Sequence, residues 1–206
     1  MVVIHHTAMH TAEAALARLC APEAEVSAHY LIGEDGCVWR LVDEAARAWH
    51  AGAGAWGGVG DVNSRSIGIE LANPGPLAAF PPFPEPQMAA LEVLLAGVLA
   101  RWRIPPERVI AHSDLAPGRK ADPGPKFDWR RLARAGLSVW PEAAAPGGAG
   151  FADLAERAGY PVAAAGEEAA LAAFRLRFRP GTSGPVVAED LALLAGLAAH
   201  WPAAEA

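Results

Sequence analysis

Residues 109–125, Val-Ile-Ala-His-Ser-Asp-Leu-Ala-Pro-Gly-Arg-Lys-Ala-Asp-Pro-Gly-Pro, join a short apolar run to a polar loop rich in glycine and proline. The apolar run predicts a buried strand over 109–111, and the loop that follows carries five ionisable groups. In one interpretation the loop is solvated, and Asp114 and Asp122 cap backbone donors. In the other, His112 and Asp122 are zinc ligands. The local sequence leaves both interpretations open.

Two other apolar runs lead into polar side chains in the same way. Val2-Val3-Ile4 precedes His5, and a strand predicted over 66–71 carries Glu70 near its end. Polar residues at the ends of several strands can converge on one cleft. We therefore expect His5, Glu70 and His112 to lie near one another.

The rest of the pattern alternates strands with helices. Two short apolar runs flank a tight turn at 33–36 and predict a β-hairpin. Apolar spacing and capping residues predict helices over 12–20, 86–103 and 128–135. This order predicts an α/β fold in which a mixed β-sheet is flanked by helices on both faces.

A segment of alanine, glycine and proline at 143–150 has no periodicity and predicts a linker. It divides a first domain over 1–142 from a small three-helix domain over 151–206. The three helices are predicted over 151–158, 167–178 and 188–201. A bundle of this size is near the limit for independent stability, so we expect it to dock on the first domain.

Charge and cysteine content exclude several classes of protein. Among 206 residues, 17 Lys and Arg stand against 23 Asp and Glu, and a net charge of −6 leaves no basic surface for nucleic acid. Cys20 and Cys37 have no metal-site spacing and are expected to be free, buried thiols. No export signal and no membrane-spanning apolar run is found, so we expect a cytoplasmic protein.

The motifs together resemble the type 2, zinc-dependent N-acetylmuramoyl-L-alanine amidases, the AmpD/AmiD-like group. The resemblance covers roughly residues 1–141 and rests on Ile-His-His-Thr-Ala at 4–8, on the segments 27–32 and 48–52, on Asn63 with 66–70, and on 112–125. Ala173-Phe174 and Phe178-Arg179-Pro180 are similar to the three-helix peptidoglycan-binding-like domain of AmiD-type members.

The resemblance implies a site as well as a fold. One Zn²⁺ per chain would be held by His5, His112 and Asp122, with Glu70 as the acid/base residue and Lys120 beside the reacting carbonyl. His29, Trp49 and His50 would surround the cleft as substrate-binding residues. Two positions depart from the group: His6 follows the first ligand, and Asp61 lies where relatives often carry basic residues.

The implied reaction is hydrolysis of the amide bond between the lactyl group of N-acetylmuramic acid and L-alanine of the stem peptide. The substrates would be (1,6-anhydro-)muropeptides or peptidoglycan, and the missing export signal favours soluble muropeptides. The alternative is a peptidoglycan-recognition module without catalysis. The sequence does not establish an oligomeric state.

Overall fold

The computed structural model describes residues 1–203 of the chain. Its sheet is built from β1 (Val2–His6), β2 (Tyr30–Ile32), β3 (Val38–Arg40), β4 (Ile67–Leu71) and β5 (Val109–Ala111). The strand order is β3-β2-β4-β1-β5. β1 pairs in parallel with β4 and β5, and β2 pairs in parallel with β4, whereas β2 and β3 form an antiparallel hairpin. The expected mixed sheet is confirmed.

The helices of the described residues are α1 (Ala12–Cys20), α2 (Glu85–Trp102), α3 (His112–Leu115), α4 (Trp129–Arg134), α5 (Phe151–Ala158), α6 (Val162–Ala165), α7 (Glu167–Phe178) and α8 (Ala188–His200). Local chemistry sets several of their ends. Thr11 Oγ1 accepts a hydrogen bond from the backbone N–H of Ala14 at 3.2 Å, which starts α1. Asp128 caps α4 through the N–H of Arg131 at 2.9 Å.

The two faces of the sheet bury different sets of helices, because side chains alternate along each strand. Ile4, Ile69 and Val109 pack against α2 and α4 in one apolar cluster. Val3 and Ile110 belong to a second cluster on the opposite face, together with α5, α7 and α8. Helices therefore cover both faces, as the sequence predicts.

The C-terminal helices share their core with the sheet, which confirms the expected docking. Phe174 of α7 is fully buried in the same cluster as Val3. The segment before α5 lies against α8, where the N–H of Ala144 donates to the carbonyl of Ala192 at 2.9 Å. A side chain at Gly196 would collide with the backbone oxygen of Glu142, so this close approach requires glycine. The domain boundary at 143–150 stays a prediction.

Three local expectations were wrong. The first residues of the predicted loop form α3, and α6 is a fourth helix in the C-terminal region. Cys20 and Cys37 are free, as expected, but both are exposed, because they lie at the end of α1 and in the hairpin rather than in the core. Residues 204–206 of the predicted C-terminal domain lie outside the described residues. Within residues 1–203, no helix combines the length and the apolar character needed to cross a bilayer.

Candidate metal centre and cleft

Three side chains from distant parts of the chain meet at the carboxyl end of the parallel strands. His5 lies in β1, His112 is the first residue of α3 directly after β5, and Asp122 follows in the next loop. The Nδ1 atoms of His5 and His112 are 2.9 Å apart, and Oδ2 of Asp122 lies 3.0 Å from each of them. All three side chains are buried. The structure thus brings the three predicted metal ligands together.

The second ring nitrogen of His112 determines where its proton sits. Nε2 lies 2.9 Å from the carbonyl oxygen of Ala51, which can only accept a hydrogen bond. Nε2 therefore carries the hydrogen, and Nδ1 presents its lone pair toward His5 and Asp122. This is the tautomer that a metal ligand requires.

A series of hydrogen bonds likewise places the proton of His5 on its Nε2 atom. Ser66 donates its hydroxyl to the carbonyl of Val62 at 2.5 Å, so its oxygen accepts from Nε2 of His50 at 3.3 Å. Nδ1 of His50 is then an acceptor, and Nε2 of His5 donates to it at 3.0 Å. Nδ1 of His5 consequently also presents a lone pair to the cluster.

These three atoms fit a divalent metal. Two nitrogen lone pairs and a carboxylate oxygen within 3.0 Å repel one another unless a cation lies between them. Imidazole nitrogen and carboxylate oxygen are common ligands of Zn²⁺, and three protein ligands leave a fourth position open, as in catalytic zinc sites. Burial and the neighbouring His112 together lower the pKa of His5 to about 4, although Asp122 opposes them, so His5 is neutral at pH 7.

Glu70 lies beside this cluster, because β4 pairs with β1 so that Glu70 is opposite His5. Its Oε2 atom is buried and has no hydrogen-bond partner within residues 1–203. Burial raises the pKa of Glu70 to about 8, and the charge of Asp122 acts in the same direction while Lys120 opposes it. A carboxyl group whose pKa lies this close to physiological pH can both accept and return a proton there.

A cleft of about 410 Å³ opens at this end of the sheet. The predicted residues that line it are His5, Trp49, His50, Glu70, His112, Lys120 and Asp122. Trp49 is 52% exposed, so its ring offers an apolar surface to a ligand in the cleft. His50 is less available to a ligand than Trp49, because its Nδ1 and Nε2 atoms are hydrogen-bonded to His5 and Ser66.

The structure places His29 away from the cleft, contrary to its expected role in substrate binding. The side chain is fully buried. Its Nδ1 atom accepts from the N–H of Gly68 at 2.9 Å, and its Nε2 atom donates to the carbonyl of Ala46 at 3.1 Å. Because both nitrogens bind backbone, His29 ties β4 to the loop that follows the hairpin.

Asn63 and Arg119 lie in the motifs that carry the family resemblance, but sequence reasoning assigned neither of them a role in the wall of the cleft. Asn63 Oδ1 accepts from the backbone N–H groups of His50 at 3.0 Å and Ala51 at 2.8 Å. Arg119 donates to the carbonyl of Ala51 at 3.2 Å and to that of Ala53. No sequence signal reveals these roles, because the partners are backbone atoms far away along the chain.

Residues 1–125 match the family model described as N-acetylmuramoyl-L-alanine amidase. The chain is 43% identical over 155 residues to N-acetylmuramoyl-L-alanine amidase AmiD of Escherichia coli strain K12. That alignment covers 69% of this chain and 55% of the relative, so the chain spans about half of the relative's length.

The similarity to solved structures extends through the C-terminal helices. AmiD from E. coli, in complex with anhydro-N-acetylmuramic acid-L-Ala-D-γ-Glu-L-Lys, superposes with a TM-score of 0.88 at 36% identity, covering 98% of this chain and 89% of that one. AmpDh3 from Pseudomonas aeruginosa, in complex with anhydromuramic pentapeptide, has a TM-score of 0.88 at 32% identity, covering 98% and 92%.

Proposed function

The chain belongs to the N-acetylmuramoyl-L-alanine amidase family, and on this basis we propose that it is a zinc-dependent amidase. It hydrolyses the bond between the lactyl group of N-acetylmuramic acid and L-alanine of the stem peptide. The observation that carries the proposal is the buried cluster of His5, His112 and Asp122, with the unpartnered carboxyl of Glu70 beside it. One Zn²⁺ per chain completes the site.

Each residue has a separate task in this reaction. When bound, zinc supplies Lewis acidity, which polarises the scissile carbonyl and makes a water molecule more acidic. Glu70 takes a proton from the attacking water and returns it to the departing amine of L-alanine. The ammonium group of Lys120, which lines the same cleft, stabilises the negative charge that develops on the carbonyl oxygen. Water and amide are thereby converted into a carboxylic acid and an amine.

The proposed substrates are muropeptides, including those with a 1,6-anhydro sugar. Support comes from the two superposing structures, which hold anhydromuramic peptides. The cleft of about 410 Å³ gives such a ligand one apolar wall at Trp49 and cationic groups at Arg119 and Lys120. Cations there suit the carboxylates of an acidic stem peptide.

The test is metal-dependent turnover of a defined muropeptide. Anhydro-muropeptide and intact sacculi are incubated separately with the protein, and mass spectrometry follows the release of free peptide. A chelator should abolish release and added Zn²⁺ should restore it. Release that is insensitive to chelation would refute the zinc mechanism. Zinc-dependent binding of muropeptide without any product would instead favour the recognition module.

A Glu70→Gln variant separates catalysis from metal binding. The substitution keeps the shape of the side chain but removes its capacity to accept a proton. The variant should retain one Zn²⁺ per chain and lose turnover. Loss of the metal together with turnover would assign Glu70 to the metal site instead.

A further inference from the structure

Asp114 is a buried carboxylate two residues beyond the metal-ligand candidate His112, and three donors satisfy it. Its side chain has no exposed surface. Oδ2 accepts from the backbone N–H of Ala111 at 2.9 Å and from Nη1 of Arg177 at 2.7 Å. Oδ1 accepts from the hydroxyl of Tyr160 at 3.0 Å. Two of the three donors therefore come from the C-terminal region.

Arg177 also binds the strand that leads to His112. Its Nη2 atom donates to the carbonyl of Val109 in β5 at 3.2 Å and to Oγ of Ser138 at 3.0 Å. The guanidinium stacks on the ring of Trp129 at 4.2 Å from the centroid. This buried side chain thus connects α7 to β5, α3 and α4 at once.

The helix α3 needs such support because it is one turn long. Four residues cannot form a stable helix without tertiary contacts. His112 is its first residue, and the N–H of Ser113 donates to the carbonyl of Asp122 at 3.0 Å. The orientation of α3 consequently determines the positions of two of the three candidate ligands.

We infer that Arg177 and Tyr160 are positioning residues of the metal centre, through which the C-terminal helices hold α3 by its Asp114 carboxylate. This inference rests on the proposed zinc site and gives the C-terminal helices a structural role at that site. Without Arg177, the charge of Asp114 is buried and uncompensated, which is unfavourable. A shift of α3 toward water lowers this cost, because water then solvates the carboxylate. A shift of α3 moves His112 and Asp122 relative to His5.

The chain provides a matched control in the same helix. Arg175 is as buried as Arg177 and binds Asp190 of α8, with Nε to Oδ1 at 3.1 Å and Nη2 to Oδ2 at 2.5 Å. Its remaining hydrogen bonds go to the carbonyls of Gly184 and Pro185. Arg175→Met therefore damages the C-terminal helices without touching the support of α3.

The experiment compares Arg177→Met, Tyr160→Phe and Arg175→Met with the unmodified chain. Competition with a chromophoric chelator gives the dissociation constant for Zn²⁺, and amide hydrogen exchange of residues 112–115 is followed in metal-free protein. Arg177→Met should raise the zinc dissociation constant by at least about tenfold, the lower end of the range for residues that orient metal ligands. Tyr160→Phe should raise it by a smaller factor. Arg175→Met should change it by less than about twofold, although its melting temperature also falls.

Faster exchange at 112–115 should accompany the weaker zinc binding of the Arg177 and Tyr160 variants. Equal zinc affinities in Arg177→Met and Arg175→Met, or unchanged exchange of α3 in the former, would overturn the inference. Tyr160→Phe removes only one hydroxyl, so it still tests the inference if Arg177→Met does not fold. Unchanged zinc affinity and unchanged exchange of α3 in Tyr160→Phe would count against the inference. Absence of zinc binding by the unmodified chain would instead overturn the proposed function.

Discussion

Replacing Glu70 by glutamine should stabilise the metal-free protein, and the gain should grow with pH. The buried carboxyl has a pKa of about 8, against 4.5 for the unperturbed group. Between these values the unfolded chain releases a proton that the folded chain keeps, so stability falls as pH rises. A difference of one bound proton changes the free energy of unfolding by about 1.36 kcal/mol per pH unit. Because the unfolded carboxyl is still partly protonated at pH 5, the loss of stability from pH 5 to pH 7 is about 2.5 kcal/mol. Glutamine does not titrate, so the variant does not lose stability in this way as the pH rises.

Urea unfolding of both proteins at pH 5 and pH 7, without metal, measures the effect. Contributions of other titrating groups, and of the new amide's contacts, cancel to first order when the two proteins are compared across the two pH values. The stability difference in favour of Glu70→Gln should increase by about 2.5 kcal/mol between pH 5 and pH 7. Bound Zn²⁺ should reduce the increase, because a nearby cation favours the ionised carboxylate. A difference that is the same at both pH values would refute the buried, protonated state of Glu70.

Three further substitutions test the other parts of the site. Lys120→Met should lower kcat by about 10²–10³-fold while zinc content measured by mass spectrometry stays the same. His50→Phe preserves an aromatic ring but removes the acceptor for Nε2 of His5, and chelator competition should show zinc binding weakened by about 10–100-fold. Trp49→Ala should raise KM for muropeptide in steady-state assays with little change in kcat, because the ring contributes binding in ground state and transition state alike.

The strands and the ends that carry the site could be predicted from the sequence, since each signal is local. β-Branched runs at 2–4 and 109–111 predict buried strands, and polar residues directly after them predict a shared edge. The helix α3 could not be predicted, because its first turn lies in a segment whose proline and glycine favour a loop. Its support comes from Arg177, 63 residues beyond Asp114. A contact between residues so far apart along the chain cannot be seen in the local sequence pattern.

The different positions of His29 and His50 show a second limit of local sequence. Both histidines offer the same ring chemistry, and the family resemblance implies the same substrate-binding role for both. His50 reaches the metal candidates because Gly68 has no side chain, and any Cβ at that position would collide with the imidazole ring. His29 instead receives the N–H of the same Gly68 and is enclosed. One glycine in β4 therefore gives the two rings opposite roles, which no property of the histidines themselves reveals.

The separation of the ligands along the chain links metal binding to the integrity of the sheet. His112 and Asp122 are ten residues apart and joined by the backbone hydrogen bond of Ser113, whereas His5 is 107 residues from His112. Only the pairing of β1 with β5 brings the third ligand within 3 Å. The site is consequently absent from the unfolded chain, and the free energy of the proposed zinc binding would add to the stability of the folded protein. The contact between Arg177 and β5 extends this linkage to the C-terminal helices.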